Sequence, residues 1–154
     1  TTVPSFQTRS LVGMPPAYQW LKEQPDGIVC EYPMFKASGQ DYQGYLFYQM
    51  FHGKRLFNPS GTSDLSEIPS HLRGFWKKME NPMSILYSAN VDTLRSLGVR
   101  YLVRHPVVMT RTVRFPSLPQ PDTISNLRRV FAMPMNEPDT TYPYDYYYTE
   151  IYEL

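Results

Sequence analysis

Apolar residues along the chain change their period several times, and each change marks an element. Ala17, Trp20, Leu21 and Gln24 recur at helical spacing behind Pro15-Pro16, and Pro25-Asp26-Gly27 ends the run, which predicts a helix over 16–24. Ile28-Val29-Cys30-Glu31-Tyr32 is a β-branched run of strand length closed by Pro33. Tyr45, Tyr48 or Gln49 and His52 then repeat at helical spacing, with Asp41 as expected N-cap and Gly53 as expected stop. A third helix is predicted over Ile68–Met79, where Leu72, Phe75, Trp76 and Met79 form a stripe that reads as core. A fourth runs over Val91–Leu97, capped by Asn90 and stopped by Gly98.

The clearest strand follows at Val99–His105, and its alternation places Val99, Tyr101, Val103 and His105 on one face and Arg100 and Arg104 on the other. Further extended runs are predicted over Val107–Phe115, Arg129–Phe131 and Tyr146–Tyr152. Proline-rich or polar loops separate them at Phe35–Gln40, Pro59–Ser63, Pro116–Pro121 and Met133–Pro143. Strands alternating with helical stripes predict the α/β class: one domain over 16–154, a mixed sheet flanked by short helices, behind a linker or extended arm at 1–15. The expected sheet holds Ile28–Tyr32, Val99–Arg104, Arg129–Phe131 and Tyr146–Tyr152, covered by helices at 16–24, 41–52 and 68–79.

Composition narrows the function classes. With 15 basic and 14 acidic side chains the net charge is +1, which argues against a nucleic-acid binder relying on overall positive charge. No apolar run approaches the roughly 18 residues of a membrane span. No leader-like segment or initiator Met stands at Thr1, so the chain is expected to be a piece of a longer protein. Cys30, the only cysteine, excludes an internal disulfide and is expected to be a buried small hydrophobe. Charge is unevenly placed: residues 95–129 hold seven arginines against Asp122, and five acids with no base follow Arg129. Either the two blocks compensate one another across neighbouring strands, or the arginines, Arg111 and Arg114 among them, face an anion such as a lipid phosphate.

Few residues offer chemistry. His52, His71 and His105 lack metal-site spacing, and no nucleophile elbow, P-loop or dinucleotide-binding glycine motif is present, so no metal or cofactor is expected. Glu31 interrupts an apolar strand near its C-terminal end, where open α/β sheets place ligands, although a solvent-facing glutamate is the default. The stretch from Tyr48 to Asn58 concentrates donors, acceptors and a helix stop in eleven residues, compatible with a polar site or with a buried network tying a helix to a loop.

The order of Tyr18-x-x-Leu21, Glu31-Tyr32-Pro33, Tyr48-Gln49-x-x-His52-Gly53-Lys54-Arg55-Leu56-x-Asn58 with Ser60-Gly61, Leu94-x-x-Leu97-Gly98-Val99-Arg100-Tyr101-Leu102-Val103 and Tyr148-x-x-x-Tyr152-Glu153-Leu154 resembles one known arrangement. It is similar to the C-terminal extracytoplasmic domain that follows the membrane spans in GT-C-type, dolichyl-phosphate-mannose mannosyltransferase-like proteins. In that family the catalytic acid lies in a loop between spans, and the donor is a polyprenyl-phosphate sugar. The resemblance therefore implies an extracytoplasmic, non-catalytic domain whose partners are the membrane-embedded portion of the same polypeptide and an acceptor, glycan or polyprenyl-phosphate sugar. It also implies that Glu31, Tyr48, His52, Arg55 and Asn58 lie close together as a binding cluster. Two rivals stand beside it: a hydrolase-like enzyme with Glu31 and His52 as acid/base pair, and a purely structural interaction module.

Overall fold

Ile28–Tyr32 (β1) and Val99–Arg104 (β2) lie side by side in parallel, as two β-branched runs joined by a long helical crossover must. Glu150–Glu153 (β6) pairs antiparallel with β2, and Arg128–Ala132 (β4) pairs antiparallel with β6, giving a mixed four-stranded sheet of order β1-β2-β6-β4. Val107–Val108 (β3) and Tyr146–Tyr147 (β5) form a separate two-stranded ribbon. This is the expected α/β class. The computed structural model describes residues 15–32, 34, 40–58, 68–79, 81, 84–105, 107–108, 127–132, 146–147 and 149–154. Residues 1–14 of the expected arm at 1–15, residues 35–39 of the expected loop at Phe35–Gln40, the loops at 59–63, 116–121 and 133–143, the extension of the 107–115 run beyond Val108, and Arg111 and Arg114 lie outside them.

Two pairs of helices sandwich the sheet. Pro16–Glu23 (α1) and Gln40–His52 (α2) cover one face, where Ala17, Tyr18, Leu21, Tyr45 and Tyr48 pack on Val29, Tyr101, Val103 and Ile151. Ser70–Met79 (α3), a 3-10 turn at Ser84–Leu86 and Ser88–Ser96 (α4) cover the other. There Trp76, Met79, Ile85, Val91 and Leu94 pack on Cys30, Tyr32, Leu102 and Tyr152. The stripe predicted in α3 faces this core as expected, and burial pushes the Cys30 thiol pKa far up, as suits an inert apolar filler.

Several local expectations are corrected. Helix α2 begins at Gln40, so Asp41 lies inside it rather than capping it. Helix α4 begins at Ser88, and Asn90 is a buried residue of its first turn whose Nδ2 donates to the Ser84 carbonyl at 2.7 Å. The expected strand Tyr146–Tyr152 is two strands, with a buried Thr149 between them, and only the second joins the main sheet. The alternation of β2 also slips at its start. Ile28 pairs with Val99 but Val29 with Tyr101, which leaves Arg100 unmatched in a bulge and turns Val99 into the α3/α4 core. Gly27 permits this bulge: a Cβ there would stand 2.9 Å from Arg100 Cβ and from Arg100 Cδ. Gly53 and Gly98 hold φ of 71° and 85°, the left-handed stops expected after α2 and α4.

The charge blocks compensate across strands for the four sheet arginines. Glu150 accepts from Arg104 Nη1 at 2.9 Å and from Arg129 Nη1 at 3.4 Å, while Glu153 pairs with Arg100 at 3.3 Å and with Arg128. Each glutamate of β6 thus stands between an arginine of β2 and one of β4.

Candidate functional site

The carboxyl ends of the two parallel strands bring Glu31 and the residue just after β2, His105, together. The His105 amide donates to the Tyr32 carbonyl at 2.8 Å, extending the pairing by one residue and fixing the imidazole beside the carboxylate. His105 Nε2 lies 2.7 Å from Glu31 Oε2, and the Tyr18 hydroxyl donates to the same oxygen at 3.1 Å. That hydroxyl is also 3.3 Å from Nε2, and the hydroxyl of Thr149 is 3.2 Å from His105 Nδ1. Both ring nitrogens are therefore occupied, and the ring's orientation is set from two sides. Glu31, His105, Tyr18 and Thr149 are all fully buried.

Aromatic rings enclose the pair. Tyr48 stacks on Tyr18 with centroids 4.1 Å apart, Tyr45 stacks on His105 at 5.5 Å, and the His52 ring lies parallel to Tyr18 at 6.1 Å. Burial raises the Glu31 pKa, and the bonds from His105 and Tyr18 oppose that rise. Burial, aided by the Lys54 charge, pulls His52 down to about 4, so its ring is neutral at pH 7. Its Nδ1 accepts from the Lys54 amide at 3.0 Å, which leaves the proton on Nε2. Nε2 and Glu31 Oε1 are buried and have no hydrogen-bond partner among the described residues.

Asn58 has a different task. Its Oδ1 accepts from the Glu31 amide and its Nδ2 donates to the Glu31 carbonyl, both at 2.8 Å. One residue pair earlier on the same edge, Val29 donates to the Arg55 carbonyl at 2.8 Å and accepts from the Phe57 amide at 2.7 Å. Residues 55–58 thus line the outer edge of β1, and the Asn58 side chain completes the ladder where its backbone has turned away. Lys54, almost fully buried, donates from Nζ to the Gln24 carbonyl at 2.8 Å and satisfies the end of α1.

Of the five residues expected to cluster, Glu31, Tyr48, His52 and Asn58 come together. Arg55 contributes only its backbone, and its side chain is exposed. Glu31 faces the core, contrary to the default for a strand glutamate. Its imidazole partner is His105, not His52 as the acid/base alternative required. His105 and Thr149 were not among the expected site residues. The alternation of β2 did place His105 on the Tyr101 and Val103 face, and that was the available signal for a titratable side chain inside the sheet.

A carboxyl group, an imidazole and a tyrosine hydroxyl within hydrogen-bond reach of one another could serve acid/base chemistry if a substrate reached them. Full burial of all three makes them an internal polar network, linked by hydrogen bonds except at Glu31 Oε1. Among the described residues no group of three His, Cys, Asp or Glu could hold a metal, and no helix is long and apolar enough to cross a membrane. No family model, curated protein or solved structure matches the chain.

Proposed function

We propose that this chain is the extracytoplasmic domain of a multi-spanning, GT-C-type glycosyltransferase-like membrane protein, inert as a transferase by itself and contributing to acceptor or glycan binding. One observation supports this reading. Tyr18, Glu31 and the trio Tyr48, His52 and Asn58 come from three stretches of the resemblance, and they meet in one buried cluster at the carboxyl ends of β1 and β2. A motif whose polar residues are spent inside the fold suits a domain that maintains a binding shape rather than one that performs chemistry. The dense tyrosine content, 13 residues, also suits contact with carbohydrate.

The test compares the 154-residue chain with its full-length parent, using a polyprenyl-phosphate sugar as donor. The parent is expected to transfer sugar, and to lose that activity when the domain is deleted, while the chain alone transfers none. Transfer by the isolated chain would overturn the proposal, as would a parent indifferent to deletion of the domain. Turnover of simple esters or glycosides by the chain would favour a hydrolase built on Glu31 and His105.

A further inference from the structure

Helix α3 ends in Lys77 and Lys78, the chain turns through Asn81 and the 3-10 segment, and α4 begins behind Tyr87. Between these elements lies an open groove of about 570 Å³, within the range of small-molecule sites at roughly 300–1,000 Å³. Lys77, Lys78, Asn81, Ser84, Tyr87 and Asn90 line it. Neither lysine forms an ion pair among the described residues, and both are exposed. Tyr87 is 66% exposed, one of two large hydrophobic side chains so placed among the described residues. An exposed aromatic ring in the wall of a concave, basic groove is the informative departure here, since single exposed apolar residues on convex surface are ordinary.

The groove is held rigid from below. Tyr32, buried in the sheet, donates its hydroxyl to the Asn81 carbonyl at 2.7 Å and accepts from the Ile85 amide at 3.3 Å. Ser84 Oγ donates to the Lys78 carbonyl at 2.5 Å, and Asn90 Nδ2 to the Ser84 carbonyl at 2.7 Å. Ser84 and Asn90, which could otherwise fill the space, are thus engaged with backbone, while Lys77, Lys78 and Tyr87 remain exposed.

We infer that this groove binds a sugar bearing an anionic group, phosphate or carboxylate: the lysines receive the anion and the Tyr87 ring receives the apolar face of the pyranose. Ammonium groups are point charges that meet either anion, and an amphipathic ring suits a surface apolar on one side and hydroxylated at its rim. The choice of a sugar rests on the function proposed above. The site itself lies on the opposite side of the sheet from the Glu31 cluster and shares no residue with it.

The experiment titrates the chain with mannose 6-phosphate, glucuronic acid, mannose and inorganic phosphate, following amide and tyrosine ring signals by NMR. Saturable shifts confined to the groove are expected with at least one of the two charged sugars, and the tighter of the two identifies the anion. Mannose and inorganic phosphate, each offering half of the recognition, are expected to bind several-fold more weakly. Replacing Lys77→Gln and Lys78→Gln together is expected to weaken the charged sugar about tenfold, from two exposed ionic contacts. Tyr87→Ala is expected to weaken it roughly fivefold through loss of the ring surface. All three side chains are exposed, so melting temperatures should hold and report intact folding. Absence of groove shifts with both charged sugars overturns the inference. So does inorganic phosphate binding as tightly as the sugars with Tyr87→Ala neutral, the signature of a bare anion patch. A silent groove alongside a parent that needs the domain would leave the proposed function standing. A binding groove in a parent indifferent to the domain would do the reverse.

Discussion

The two faces of the sheet are built by the same strands and differ in kind. On the α3/α4 side, Cys30, Tyr32, Leu102, Trp76, Met79, Ile85 and Leu94 make a predominantly apolar core, with the Arg104–Glu150 pair at one end. On the α1/α2 side, Tyr18, Tyr45 and Tyr48 surround Glu31 and His105, beside the hydrocarbon side chains of Leu21, Val29, Val103 and Ile151. Strand alternation does the sorting in β1, where Val29 and Glu31 go one way and Cys30 and Tyr32 the other, and the bulge at Arg100 sends Val99 of β2 to the α3/α4 side. The contrast separates two means of holding a fold. An apolar face draws on area and tolerates exchange of like-sized groups. A polar face depends on particular partners, because removal of one leaves another stranded.

The sharpest way to break the comparison is His105→Ala, which strands Glu31 in the core and is expected to cost about 3–5 kcal/mol in urea unfolding. The double replacement Glu31→Leu with His105→Leu should recover most of that loss, since no uncompensated charge then remains. Leu94→Ala on the opposite face is expected to cost about 2–5 kcal/mol, with no second substitution that rescues it by removing a partner. If the double variant is no more stable than His105→Ala, partner dependence is not what distinguishes the faces.

Acid separates the faces further. The His52 pKa is about 4 in the folded chain against 6.5 in the unfolded one, so the unfolded state binds more protons between those values. His52 therefore adds stability that is complete above pH 6.5 and is lost as pH falls toward 4. Glu31 acts in the opposite sense: its raised pKa makes the folded state the better proton binder, so its contribution falls as pH climbs from 4.5 through the raised value. Unfolding of His52→Asn measured from pH 4 to 7 should show a flatter rise of stability with pH than the parent sequence, whereas Leu94→Ala should shift the curve without reshaping it.

The smallest effect belongs to the arginine ladder. Arg128 is 75% exposed at its side chain, and Arg128→Gln is expected to cost under about 1 kcal/mol, less still at high salt. Arg104→Gln, at 1% exposure against Glu150, should cost more, and equal losses from the two would show that burial does not set the worth of these pairs.

The sheet strands and their helical covers are legible where local rules act. Proline and glycine punctuation delimits α1, the end of α2 and the end of α4, and β-branched runs mark β1 and β2. The start of α4 is not legible, because Asn90 looks like a cap and instead bonds back to Ser84, a partner six residues away. Nor is the facing of Val99, which depends on a bulge made possible by the close approach of Gly27 to Arg100. Half of the buried cluster could be read from the density of polar residues between Tyr48 and Asn58. Its central contact could not, since Glu31 and His105 are 74 positions apart and meet only because β1 and β2 pair in parallel. Two titratable residues on one apolar strand face, one in β1 and one just past the end of its parallel neighbour, is the pattern that would have found them.

The outer edge of β1 has a consequence for how copies of this chain behave toward one another. A sheet edge with free amides and carbonyls invites another molecule to add a strand, and addition can repeat. Here residues 55–57 take the first positions and the Asn58 carboxamide takes the next, engaging the Glu31 peptide on both sides. A carboxamide imitates one peptide group and then ends, so the hydrogen-bond row stops at a side chain that offers no continuing template. Asn58 thereby occupies the edge positions that β1 would otherwise present to an added strand.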